Sequence, residues 1–186
     1  MKRRNLIVTL TLSALFCTLI CIGSFIRIPM PNMMPVTLQT FFVLLTGLVL
    51  PLKASTLATL TYIALGLIGL PIFSGGGGLG YILTPNFGFI VGFLIATVSI
   101  SAIAEKLKSR KLWQYVAISL LGITIIYIIG IFYFALITNV HNNNNYSWVW
   151  FIQTVFLPFL PKEIVCVVLS SLSAYKIRPY ITKGKI

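Results

Sequence analysis

Long apolar runs constrain this chain more than any other feature. The clearest stretches from about Trp113 to Thr138 and contains no Asp, Glu, Lys or Arg. Crossing the hydrocarbon core of a bilayer as a helix takes about 20 residues, and several runs here are long enough. Of the 186 residues, 58% are hydrophobic and only 9% charged, whereas a soluble domain carries roughly 25% charged residues. So little charge cannot cover a surface facing water. The sequence therefore predicts an all-α, polytopic membrane protein, a single integral membrane domain over residues 1–186, with little mass outside the bilayer.

Six apolar segments can be drawn: Leu6 to Phe25, a short one from Thr37 to Leu50, then Ala54 to Leu70, Phe87 to Ile103, Trp113 to Thr138 and Lys162 to Tyr175. They predict a bundle of six transmembrane helices. The basic start followed by an apolar stretch resembles a signal peptide. The stretch is too long for that and lacks a small-residue cleavage site, so it reads as the first span. Before the last span, "WVWFIQTVFLPFLP" is apolar but holds Pro158 and Pro161. These suit a short helix or re-entrant piece, a break, and a helix start.

Orientation follows from charge. There are fourteen basic residues and two acidic ones, Glu105 and Glu163. With both termini cytoplasmic, the inner side takes Lys2, Arg3, Arg4, Lys53, Lys106, Lys108, Arg110, Lys111, Lys176, Arg178, Lys183 and Lys185, and the outer side only Arg27 and Lys162. That bias matches the positive-inside rule. It also accounts for the net charge of +12 without a nucleic-acid partner, since no soluble module gathers the basic residues. Glu105 reads as a solvated partner of its neighbouring lysines. Cys17, Cys21 and Cys166 all lie in apolar runs, as small buried hydrophobes do.

The residue run Gly75–Gly76–Gly77–Gly78 falls in an outer loop, "GLPIFSGGGGLGYILTPNFGF". A phosphate-cradling loop is disfavoured, because no G-K-[ST] follows it. Two readings stay open: a flexible connection, and a binding loop in which glycine lets backbone N–H groups approach a ligand. The same side carries "IPMPNMMPVTLQT" and the pair Lys162-Glu163 after Pro161. Adjacent opposite charges at a membrane helix start suit either an interfacial anchor or a cavity. Gln39, beside Thr37 and Thr40, offers an acceptor and two donors, for a neighbouring helix or for a ligand. Asn86 is open to the same reading, or to an N-cap of the fourth helix.

Three pieces taken together resemble the BioY family: "IPMPNMMPVTLQTFFVLLTGLVL", "YIALGLIGLPIFSGGGGLGYILTPNFGFIVGF" and "PFLPKEIVCVVLSSLSAYK", in the same order across about Leu6 to Lys176. That family comprises biotin-specific S components, the substrate-binding membrane subunits of energy-coupling-factor transporters. The resemblance implies six helices and a site near the extracellular surface under the first and third external loops. It carries the family's acid onto Glu163. Where members often read G-P-T-x-G-Y, this chain reads Thr84-Pro85-Asn86-Phe87-Gly88-Phe89. Where many begin the last helix with P-G-D-x-x-K, it has Cys166 at the lysine position and Lys162 at the glycine position.

On that resemblance the expected ligand is biotin, with a ureido ring, an apolar thioether ring and chain, and a carboxylate. The expected binding residues are Gln39, Phe73, Gly75, Gly76, Gly77, Tyr81, Asn86, Phe89, Lys162 and Glu163. Glu163 would accept from the ureido N–H groups, Gln39 and Asn86 would supply amides, and Phe73, Tyr81 and Phe89 would pack the apolar parts. The glycine-loop N–H groups or Lys162 would take the carboxylate. An S component for another vitamin, such as thiamine or riboflavin, is the alternative. The chain has no Walker A motif, so the resemblance implies a coupling transmembrane subunit and two cytoplasmic ATPase subunits as partners. Ala14 and Thr18 form a small-residue face on the first helix, for that coupling subunit or for packing within the bundle. No catalytic residues, cofactor or metal site are expected: His141, the single histidine, sits in a polar loop. Asn145-Tyr146-Ser147 is a weak match to a glycosylation sequon. The expected location is the plasma membrane of a prokaryote.

Overall fold

The computed structural model describes residues 2–29, 35–107, 111–141 and 145–183. Part of the first outer loop (30–34), Lys108, Arg110 and Lys185 lie outside these, as do 142–144. Helices dominate: α1 (Lys2–Phe25), α2 (Gln39–Val49), α3 (Leu52–Leu67), α4 (Phe87–Glu105), α5 (Leu112–Leu136), a short α6 (Trp148–Phe151) and α7 (Leu160–Lys183). Among the described residues, four helical stretches are long and apolar enough to span a bilayer: Leu6–Phe25, Phe87–Glu105, Leu112–His141 and Trp148–Ile181. Gln39–Val49 and Leu52–Leu67 are apolar but shorter. A two-residue ribbon, β1 (Arg27–Ile28) with β2 (Val36–Thr37), clips the α1–α2 connection antiparallel.

The burial pattern is that of a bundle solvated by lipid. Large apolar side chains face outward on α1 (Leu6, Leu10, Leu15), α5 (Ile128, Phe132) and α7 (Ile164, Val168). Small hydroxyls turn inward: Thr46, Ser55, Thr59, Ser101, Ser119 and Ser171 are fully buried. Most bond within their own helix or across to a neighbour, so the hydrocarbon region need not solvate them. Ser119 and Ser171 meet at 3.1 Å between α5 and α7, and Ser13 donates to the Ala54 carbonyl at 3.0 Å between α1 and α3.

One end of the bundle is tied by polar contacts to backbone. Glu105, at the end of α4, accepts from the Leu52 N–H at 2.7 Å, which satisfies a free donor in the first turn of α3. It caps a helix rather than serving only its neighbouring lysines. Ser101 donates to the Leu50 carbonyl at 2.8 Å, and buried Arg178 reaches the Leu48 carbonyl at the end of α2 at 2.5 Å.

Two boundaries differ from the sequence expectation. The prolines at 158 and 161 do not stop the chain. A π turn (Ile152–Phe156) and a 3-10 turn (Leu157–Phe159) carry α6 directly into α7, absorbing the missing proline N–H groups without a break. The last helix also runs on past Tyr175 to Lys183, through Pro179.

The glycine loop is ordered by its own backbone. α3 ends in a Schellman motif: Leu70 N–H donates to the Leu65 carbonyl at 3.2 Å and Gly69 N–H to the Gly66 carbonyl at 3.3 Å. Phe73 and Gly76 then exchange both backbone hydrogen bonds, at 2.9 and 3.1 Å, around a turn at Ser74-Gly75. Gly76 takes a φ of 130°, a region open mainly to glycine. A Cβ at Gly77 would overlap the Leu70 carbonyl. The Gly78 N–H donates to the Gly66 carbonyl at 2.7 Å. The run is thus a folded strap rather than a slack linker, with the Gly76 and Gly78 N–H groups engaged by its own backbone.

Candidate functional site

α2 and α7 both begin at the end of the bundle that carries the strap, and α4 begins there too. Their first turns and the strap enclose a narrow, partly open cavity with about 20 Å³ of room inside, space for about one water. α2 contributes Gln39 and Thr40, α4 contributes Phe89, Ile90 and Phe93, and α7 contributes Lys162 and Glu163. Thr37, Ser74, Tyr81 and Asn86 come from the connections, and Ile126 and Tyr127 from the middle of α5.

Six of the ten expected binding residues meet in this cavity: Gln39, Tyr81, Asn86, Phe89, Lys162 and Glu163. The other four do not line it. Phe73 is buried one layer behind, with its ring 4.8 Å from that of Tyr81 and 5.4 Å from that of Tyr62. Gly75, Gly76 and Gly77 lie beside it, and the strap reaches the cavity through Ser74. The Gly76 N–H is already taken by Phe73, so it is not available to a carboxylate. Arg27 donates to the Ser74 carbonyl and holds the strap tip to the β1–β2 ribbon. Asn86 stands at the N-cap position of α4, yet its side chain makes no capping bond there; it lines the cavity instead.

Glu163 is the electrostatic centre. It is only 4% exposed, so its charge needs partners. All of them converge on one oxygen. Oε1 receives Lys162 Nζ at 2.5 Å, the Tyr127 hydroxyl at 3.0 Å and the Thr40 hydroxyl at 3.4 Å. Lys162 also donates to Thr40 Oγ1 at 3.1 Å. Oε2 is buried and has no partner among the described residues, and the same is true of the Tyr81 hydroxyl. A buried polar atom left without a hydrogen bond costs about 1–3 kcal/mol, and more when charged. Two such atoms on one cavity wall mark a place for a polar ligand.

The Gln39 amide donates to the Tyr62 hydroxyl at 2.6 Å, and Tyr62 in turn donates to the Ile72 carbonyl at 3.3 Å. The interhelical bond and the cavity position therefore hold together at one residue. Sequence reasoning missed Tyr127 and gave Thr40 no role. Tyr127 interrupts a run of apolar residues at membrane depth, and a phenol there wants a partner; that was the available signal.

The small-residue face of α1 points away from the bundle. Ala14 and Thr18 are exposed, and Thr18 donates to the Ala14 carbonyl at 3.0 Å within its own helix. Packing inside this chain does not explain it. Among the described residues no group of three His, Cys, Asp or Glu side chains could hold a metal ion.

The sequence profile of the BioY family matches residues 1–183. The chain belongs to the BioY family. It is 32% identical over 177 residues to a probable biotin transporter BioY of Lysinibacillus sphaericus, covering 95% of this chain and 90% of that one. It is 35% identical over 167 residues to the biotin transporter BioY of Thermotoga maritima, covering 89% and 93%. Among solved structures, it resembles the S-component for biotin from an ECF-type ABC transporter, with a TM-score of 0.85 at 26% identity over 96% of this chain and 95% of that one. The resemblance drawn from the three sequence pieces thus extends over the full BioY fold.

Proposed function

We propose that this chain binds biotin and is the biotin-specific S component of an energy-coupling-factor transporter, a binding and uptake subunit rather than an enzyme. The observation that carries the reading is the lopsided carboxylate of Glu163: among the described residues every donor is on Oε1 and none on Oε2. A cyclic urea offers N–H donors to such an oxygen and a carbonyl to a nearby hydroxyl, for which Tyr81 is the candidate. Gln39 and Asn86 supply further amide contacts, and Phe89, Ile90 and Phe93 give an apolar wall for the sulfur ring, since sulfur–aromatic contact is mildly favourable. Lys162, whose ammonium is bound to Glu163 and Thr40, sets the charge of that wall, and the glycine strap shapes the cavity from outside.

In this reading the chain is multi-pass in a prokaryotic plasma membrane. α1, α4, α5 and α6–α7 cross it fully, and the shorter α2 and α3 complete the six spans. The cavity opens outward and both termini are cytoplasmic, an orientation supported by the twelve-to-two split of basic residues. The energy comes from elsewhere, through a coupling transmembrane subunit docking on the Ala14–Thr18 face and two cytoplasmic ATPase subunits.

The test is purification in mild detergent followed by mass spectrometry of the bound small molecules. Biotin is expected in near-stoichiometric amount. Thiamine, riboflavin or no vitamin in its place would overturn the assignment.

A further inference from the structure

Tyr127 has two neighbours of opposite character. Its hydroxyl touches Glu163 in the polar cavity, while its ring also lines an apolar groove on the outside of the bundle, with Ile123, Ile131, Phe132, Trp148 and Phe156. The ring is fixed edge-on between Phe89, at 5.7 Å, and Phe156, at 5.2 Å. It cannot turn its hydroxyl elsewhere without disturbing that stack, and its side chain is buried.

The three donors on Glu163 Oε1 come from three helices. Lys162 is its own neighbour in α7, and Thr40 lies in α2. Tyr127 is the one that reaches across from α5. A carboxylate held by Lys162 alone can rotate about its terminal torsion, which is broad and two-fold for glutamate. Either oxygen would then face the lysine. Thr40 adds only a long contact of 3.4 Å from α2; the 3.0 Å charge-assisted bond from Tyr127 on α5, about twice as strong as a neutral one, removes that freedom and leaves Oε2 as the acceptor.

We infer that Tyr127 is a positioning residue for ligand recognition: its hydroxyl locks the Glu163 carboxylate so that Oε2 stays free for an N–H donor of the ligand. This rests on the biotin reading, in which that donor is a ureido N–H. Tyr127 acts through Glu163, and its specific signature is discrimination between ligands that differ only at that N–H. Loss of packing alone would weaken all ligands alike.

The experiment titrates detergent-solubilised full-length protein with biotin and with biotin methylated on one ureido nitrogen. The parent, Tyr127→Phe, Glu163→Gln and the double variant are compared. The extra methyl meets the same walls in parent and Tyr127→Phe, so a change in the affinity ratio reports the carboxylate and not the added bulk. Tyr127→Phe keeps the ring and its stack. It is expected to weaken biotin about three- to tenfold, less than a direct bond to a charged group would, and to shrink the ratio by a similar factor. In the Glu163→Gln background it is expected to change neither. Placing 3-fluorotyrosine at Tyr127, a stronger donor of nearly the same volume, should widen the ratio, so the inference can be read even if the phenylalanine variant does not fold. Equal weakening of both ligands, or no change in either, would overturn the positioning role. A parent protein that binds biotin but does not distinguish it from the methylated form would remove Glu163 as the N–H acceptor and the inference with it. A parent protein that binds no biotin would instead overturn the assigned ligand.

Discussion

Replacing Glu163 by glutamine changes one atom of the cavity wall and reverses its polarity. The amide oxygen takes the place of Oε1, because Lys162, Tyr127 and Thr40 all direct donors there. The amide nitrogen then occupies the position of Oε2. A ligand N–H that met an acceptor would meet two further donors. Hydrogen bonds to charged groups contribute roughly 1.5–3 kcal/mol, and 1.4 kcal/mol is about tenfold in affinity, so Glu163→Gln should weaken biotin about 10- to 100-fold. Isothermal titration of the purified variant measures this directly. The same substitution strips the Lys162 ammonium, whose side chain is 19% exposed, of its counter-ion. Thermal stability should therefore fall too, and Lys162→Met added to Glu163→Gln should restore stability without restoring affinity, because removing both partners avoids the unpaired ion. A Glu163→Gln protein that binds biotin within about threefold of the parent would refute the reasoning, since so small a change is worth under about 1 kcal/mol. Glu163 would then be only the structural partner of Lys162.

Three further outcomes follow from the geometry. Gly77→Ala should lower the melting temperature, because its Cβ overlaps the Leu70 carbonyl and overpacking costs about 1–3 kcal/mol; an unchanged transition would mean the strap is looser than described. Ala14→Leu or Thr18→Leu, on the exposed face of α1, should impair uptake and assembly with a coupling subunit while leaving biotin binding by the isolated chain intact, and normal assembly of both would remove that face as the contact. Leu79, 71% exposed beside the strap, changed to cysteine in a background without the native cysteines, should react with an impermeant thiol reagent on intact cells; labelling only after lysis would invert the orientation.

The helices were legible where apolar runs end in loops, as at Phe87 and Trp113, whose expected starts fall within a residue of α4 and α5. They were less so where a polar tail continues a helix. Beyond Tyr175 the sequence turns basic and contains Pro179, yet α7 holds to Lys183, with Arg178 buried against the end of α2. That contact is long-range, and hydropathy does not register it. The same limit applies at the cavity. Gln39, Asn86, Lys162 and Glu163 stand out as polar residues in an oily chain. The split between the two oxygens of Glu163 depends on Tyr127, which is 36 positions away. The glycines left both a linker and a binding loop open, because composition cannot tell a backbone that needs room for a ligand from one that needs room for itself.

The central claim is that the cavity around Glu163 is a biotin site. The most direct test is equilibrium titration of the purified chain, free of any partner subunit, with biotin, thiamine and riboflavin in turn. One biotin per chain, bound tightly and weakened by Glu163→Gln, with no saturable binding of the other two, is the result this account predicts. Saturable binding of thiamine or riboflavin in preference to biotin, or biotin binding indifferent to Glu163, would contradict it.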